Sequence, residues 1–312
     1  MKGIGIMAVI AGHTNPDIIT SKIISSFHMP MFFIIAGYFY KPNINYRNKF
    51  ANDYRRLIIP YITTAVILSF YFICTSENPI DILKYFLKAF ICAGTEDHTS
   101  MIWAHIPKIG PIWFLLALFW CRTIFNFIDN SSLSHKSLII ILVSVASVII
   151  DRYLINLPLS ILPGLSAMIF YLIGKYLRTH RLSKEQIIVC AICWIIHLFF
   201  SRIDMCICMY KLYPIDICGA IFGTIMIYYL SKIISKSNTV SYVFSKLGNS
   251  SLILLCAHTL EFFILNINQR YANNLWIARF LIESSICIVL TFIWFRLNNI
   301  KHIFINYRKR NL

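Results

Sequence analysis

Residues Ser25 to Lys41 read SSFHMPMFFIIAGYFYK, an apolar run with a histidine near one end, a lysine at the other and no charge between Met29 and Tyr40. Runs of this character recur along the chain. About 20 apolar residues in a helix cross a hydrocarbon core of about 30 Å, whereas the strands of a membrane barrel are shorter and alternate. Composition agrees with the helical reading: of 312 residues, 58% are hydrophobic and 13% charged, and the mean hydropathy is +0.68. A soluble domain does not carry that balance. The fold expected is an all-α polytopic membrane bundle.

Ten apolar segments are legible: Lys2 to Gly12, Phe27 to Tyr40, Leu57 to Cys74, Ile112 to Ile128, Leu138 to Ile150, Ser160 to Leu177, Ile187 to Phe200, Ile215 to Ile234, Ser251 to Ile267 and Ile277 to Phe295. The formal charge of +16 lies in the short connections between them rather than on one surface, which argues for membrane lipids and against nucleic acid as a partner. Lys and Arg accumulate on the cytoplasmic side of a membrane. Lys41, Arg47, Lys49, Arg55 and Arg56 follow the second segment; Arg178, Arg181 and Lys184 follow the sixth; Lys232, Lys236 and Lys246 follow the eighth; Lys301, Arg308, Lys309 and Arg310 follow the tenth. The alternate connections are nearly neutral. In the longest, Glu77, Asp81, Glu96 and Asp97 oppose Lys84, Lys88 and Lys108; in another, Arg202 and Lys211 oppose Asp204 and Asp216. Ten spans with both termini cytoplasmic satisfy this pattern, and Ile80 to Ile91 reads as an interfacial helix. The whole of 1–312 reads as one integral membrane domain. The ten cysteines, Cys190 and Cys193 among them, sit mostly in apolar stretches and read as small hydrophobes, with no disulfide framework and no metal site expected. From Lys2 to His13 the first segment covers about 16 Å, roughly half a bilayer core, so a truncated N-terminus is one expectation.

Ionisable groups within apolar spans are functional candidates because burying them in lipid is costly. His13 ends the first span, and His28 opens the second, about 20 Å from Lys41. The pair is expected at similar depth, where an imidazole can serve as a general base; each can equally bond only a backbone carbonyl. His258 sits in the ninth span with Glu261 one turn on, near enough to orient it. Arg55 and Arg56 precede the third span, where guanidinium groups suit a phosphate; lipid anchoring explains them as well. Trp113, after Gly110-Pro111, suits either a binding site or an interfacial aromatic belt.

Six stretches, KGIGIMAVIAGH, SFHMPMFFIIAGYFYK, RRLIIPY, GPIWFLLALF, FYLIGKYLR and LGNSSLILLCAH, resemble in content and order the acyltransferase 3 family of bacterial inner-membrane O-acyltransferases, nearest to its fucose 4-O-acetyltransferase-like branch. The resemblance implies O-acyl transfer from acyl-coenzyme A, typically acetyl-coenzyme A used as a co-substrate with no permanently bound cofactor. The acceptor it implies is a hydroxyl of a surface polysaccharide or its lipid-linked precursor, and the location is the bacterial inner membrane. The family's basic residue and histidine separated by ten residues fall on Lys2 and His13, the catalytic pair, with His28 as a third catalytic candidate. Its Arg-x-x-Arg pattern falls on Asp53-Tyr54-Arg55-Arg56, where Asp53 replaces the first arginine; Arg55, Arg56 and Lys49 are then the donor-binding candidates, and Trp113, His258 and Glu261 the acceptor-binding ones. A transporter or flippase for a polysaccharide precursor is the alternative, which predicts inverted repeats; a polymerase or lipid-linked glycosyltransferase predicts a larger outward loop.

Overall fold

In the computed structural model, residues 1–94, 109–153, 157–200, 203–271 and 275–310 are described. Glu96, Asp97, Lys108 and Arg202 lie outside them, as do the side chains of Lys301, Arg308, Lys309 and Arg310. The chain is a helical bundle: α1 (Lys2–His13), α2 (Ile18–Tyr38), α3 (Tyr46–Asp53), α4 (Ile59–Thr75), α5 (Pro79–Cys92), α6 (Trp113–Asn130), α7 (Lys136–Tyr153), α8 (Ile161–Ser166), α9 (Met168–Leu177), α10 (Lys184–Phe200), α11 (Ile215–Ile234), α12 (Asn238–Asn249), α13 (Ser251–Ile264), α14 (Ile267–Arg270) and α15 (Trp276–Arg310). A two-residue antiparallel pairing, β1 (Ile203–Asp204) with β2 (Met209–Tyr210), links α10 to α11.

Each of the ten apolar segments is helical, and so is the stretch expected as an interfacial helix, which is α5. Among the described residues, five helices are long and apolar enough to cross a membrane, six if α12 and α13, bent by 71°, form one broken span. The remaining apolar helices are shorter, interrupted or, in α7, charged at both ends by Lys136, Asp151 and Arg152. Two expectations change. The second span begins at Ile18, nine residues before Phe27, because Asp17 caps it: its carboxylate accepts from the Ile19 and Thr20 amides at 3.1 and 3.0 Å and from the Thr20 hydroxyl at 2.7 Å. His28 therefore lies mid-helix, not at a helix mouth. The third span is also longer, since α3 runs through a π-helical turn, Tyr54–Ile58, straight into α4.

That π turn has a local cause. Pro60 lacks an N–H, and its ring crowds the carbonyl four residues back, at Arg56. The backbone widens there, and the Ile59 N–H bonds the Tyr54 carbonyl, five residues back.

Among the described residues the larger of two buried clusters runs from Ile6 on α1 to Cys287 on α15, and the smaller lies between α1, α2 and α11. α2 packs on α1, α9 and α11, while α13 packs on α1, α4 and α15. α2 and α9 meet through small residues on both sides: a Cβ on Gly37 would strike the Tyr171 carbonyl, and one on Gly174 the Ile34 carbonyl. Backbone cannot step aside as a side-chain tip can. Gly174→Val should therefore lie at or above the upper end of the about 1–3 kcal/mol typical of overpacked sites, seen as a lower melting temperature and poor recovery in detergent. An unchanged melt would mean that this crossing is looser than described.

Candidate active site

A cavity of about 810 Å³ opens between α1, α2, α3, the π turn, α6 and the α12–α13 junction. Its size falls within the about 300–1,000 Å³ usual for small-molecule and cofactor sites. Its lining is divided. Lys2, Lys41, Lys49, Arg56 and Arg122 supply positive charge against one carboxylate, Asp53, whereas Ile6, Val9, Met29, Phe32, Phe114 and Leu255 form an apolar stretch.

The basic part is built by local packing. Asp53 is 2% exposed and holds two cations, Lys49 one turn earlier on α3 and Arg122 of α6 at 2.8 Å. A carboxylate thus stands where the family pattern has an arginine, and its effect is to draw Arg122 across from α6. The π turn puts Arg56 on the cavity, while Arg55 is exposed and off it. Residues 41–43 are clamped by Asn126, whose amide accepts from the Asn43 N–H at 3.1 Å and donates to the Asn43 carbonyl at 3.0 Å. Lys2 stands at the start of α1, where Gly3 and Gly248 allow α1 and α12 to touch backbone to backbone.

The apolar part leads to histidines. A Cβ on Gly5 would meet Met31 and Phe32, and one on Gly12 would meet Ile24. This antiparallel register puts His13 level with the region of Ile24, and His28 near the level of Val9, about 6 Å closer to the cavity. The equal depth expected of the two is thus corrected to an offset of one turn, a consequence of the earlier start of α2. Val9 and Met29 line the cavity, so it stops one turn short of His13 and beside His28. His28 lies within electrostatic reach of His13.

Both imidazoles are oriented alike. His13 Nδ1 donates to the Val9 carbonyl and His28 Nδ1 to the Ile24 carbonyl, each at 2.8 Å. A carbonyl only accepts, so Nδ1 carries the proton and Nε2 is left as the basic atom in the neutral ring. The His13 ring packs edge-on against His258, with centroids 5.1 Å apart, and both lie against Phe262 at 5.7 and 6.2 Å. His258 is fully buried, 3.4 Å from Glu261.

The model of the acyltransferase domain that defines the acyltransferase 3 family matches residues 1–296. The chain belongs to the acyltransferase 3 family. It is accordingly a multi-pass membrane acyltransferase. No curated protein and no solved structure matches it.

Set against the residues expected of an acyltransferase 3 protein, the fold brings His13, His258 and Glu261 together beyond the apolar end of the cavity, with His28 beside that end, and puts Lys2, Lys49 and Arg56 on the lining at the other. Three positions depart from expectation. Lys2 lies at the opposite end of α1 from His13, about 16 Å along the helix, among the basic residues that line the cavity. Arg55 points off the cavity. Trp113 packs in the core against Phe114, at 6.4 Å between centroids, and it is Phe114 that lines the cavity. Arg122 and Arg279 escaped the sequence reading. Arg279 of α15 donates to the Thr14 and Asn15 carbonyls at 3.1 and 3.3 Å, fixing the turn that ends α1 just past His13. Each is an arginine inside an apolar span, the very signal that singled out the histidines.

Proposed function

We propose that the protein moves an acyl group, acetyl in the simplest case, from acyl-coenzyme A to a hydroxyl of a surface polysaccharide or its lipid-linked precursor. The observation that carries this reading is His13: its Nδ1–H is committed to the Val9 carbonyl, which leaves Nε2 as a base one turn beyond a cavity with a cationic mouth and an apolar floor. Lys2, Arg56 and Arg122 suit the phosphates of the donor through charge-assisted hydrogen bonds. The uncharged pantetheine arm suits the apolar part and brings the thioester toward His13. His13 Nε2 then accepts the proton of the acceptor hydroxyl as its oxygen attacks the thioester carbonyl. The new C–O bond forms, the C–S bond breaks, and the proton passes from His13 to the departing thiolate. The charge of the connections supports a mouth on the cytoplasmic side, where the donor would be supplied.

Surface glycan compared by mass spectrometry and NMR between cells with and without the gene tests this directly. Ester-linked acyl groups should depend on the gene while the amount and chain length of the glycan do not. Loss of the glycan itself, with acylation of the remainder unchanged, would point to a transporter or flippase.

His28 has its own expected result. Lying beside the end of the cavity, it should set acceptor position or the proton path, not donor affinity. His28→Ala should lower kcat about tenfold at saturating donor, less than the loss of a general base, with KM for the donor unchanged. His28→Gln should recover part of the loss through a side-chain hydrogen bond. Full activity in His28→Ala would make it a structural residue.

A further inference from the structure

Behind His258, away from the cavity, the facing sides of α13 and α15 enclose four groups. His258 and Glu261 come from α13, and Glu283 and Cys287 from α15; spacings of three and four put each pair on one helix face. Their exposures are 0, 2, 1 and 0% respectively. One ligand atom each from His258, Glu261 and Cys287 falls within 4.8 Å of the others, and Glu283 lies within electrostatic reach of both Glu261 and Cys287. Among the described residues, neither ring nitrogen of His258 and none of the four carboxylate oxygens of Glu261 and Glu283 has a hydrogen-bond partner.

Groups of this kind are not left so in hydrocarbon without a counterpart. Buried polar atoms carry their full desolvation cost when unpaired, and two neighbouring carboxylates repel unless a proton or a cation stands between them. The identity of the donors selects between these. A thiol adds nothing to a pair of protonated carboxyls, but an imidazole nitrogen, a thiolate and carboxylate oxygens together are a zinc-type ligand set. The 3.4 Å from His258 Nδ1 to Glu261 Oε2 also matches the roughly 3.3 Å edge of a tetrahedron with bonds of about 2.0–2.1 Å.

We propose that His258, Glu261, Glu283 and Cys287 form a binding site for a divalent transition metal ion of the zinc class. Two carboxylates and a thiolate around such an ion leave one negative charge, and Arg279, one turn from Glu283 on the same face, is placed to balance it. The ion ties α13 to α15 and fixes the His258 ring against His13. No Cys-x-x-Cys spacing announces the site in the sequence, because its ligands pair across two helices.

The test uses the full chain purified in detergent through a tag without histidine and without chelator. Elemental analysis should find about one zinc per chain. Monodisperse Glu283→Gln and Cys287→Ser proteins should hold at least about tenfold less at equal free zinc. Cobalt exchanged into the wild type should give tetrahedral visible bands with a thiolate charge-transfer band that Cys287→Ser lacks. Melting supplies a readout that does not depend on stoichiometry: chelator should lower the melting temperature of the wild type and leave that of Glu283→Gln unmoved. A wild type that takes up neither zinc nor cobalt on titration overturns the proposal in favour of protonated carboxyls. Metal retained equally by both variants overturns it too, by placing the ion elsewhere.

Discussion

Replacing His13 by alanine should abolish acyl transfer while the protein remains inserted at its normal level. The side chain is half-buried, and its Nδ1 bond closes on Val9 within its own helix. Its removal therefore costs α1 that local bond. The turn beyond it stays in place, because Thr14 bonds the Ala11 carbonyl and Arg279 holds the carbonyls of Thr14 and Asn15. What is lost is the basic Nε2. General-base catalysis typically contributes about 10²–10⁴-fold, so acylated glycan should fall to background in a strain carrying His13→Ala. Gln at this position, which cannot take the proton, should be as inactive. Quantified ester on the glycan beside an immunoblot of the membrane fraction is the check, and normal acylation by a well-inserted variant would reject His13 as the base.

The second large effect is on the donor. Arg56→Gln combined with Arg122→Gln should raise KM for acyl-coenzyme A about 10²-fold or more, since hydrogen bonds involving a charged partner contribute about 1.5–3 kcal/mol each. kcat at saturating donor should change little, because both residues stand at the mouth, far from His13. The fold should tolerate the change: Asp53 keeps Lys49 as its partner when Arg122 is gone. Arg55→Gln is the internal control. Arg55 has nearly the same sequence context but stands off the cavity, so its replacement should leave KM unchanged. An equal rise in KM for Arg55→Gln, or no rise for the double variant, would contradict the assignment of the cavity mouth to phosphate.

Much of this was legible before the fold was known, and the reasons differ by residue. Apolar length alone located the helices, since lipid admits few alternatives to a helix. His13, His28 and His258 stood out because an ionisable group is conspicuous in an apolar run. The start of α2 was misplaced because the polar stretch from Thr20 to Ser26 hid a helix that the Asp17 cap begins. Arg122 was missed for a different reason: its role depends on Asp53, sixty-nine residues earlier, and a substitution at Asp53 reads as a defect until the fold brings the two together at 2.8 Å. Glu283 and Cys287 acquire meaning only opposite His258 and Glu261, a juxtaposition that neither helix announces. Arg55 and Arg56 are adjacent in sequence, and it took the π turn before Pro60 to separate the residue on the cavity from the one outside it.

The central claim is that the donor's acyl end travels up the cavity to His13. An acyl-coenzyme A carrying a photoreactive diazirine on its acyl chain measures this directly, with crosslinked peptides from the detergent-purified protein mapped by mass spectrometry. The account predicts label on the stretch from Val9 to His13 and on the stretch from His28 to Phe32, suppressed by excess acetyl-coenzyme A and weakened by the Arg56→Gln, Arg122→Gln double change. Label confined to surface connections, or label that acetyl-coenzyme A does not displace, would contradict it.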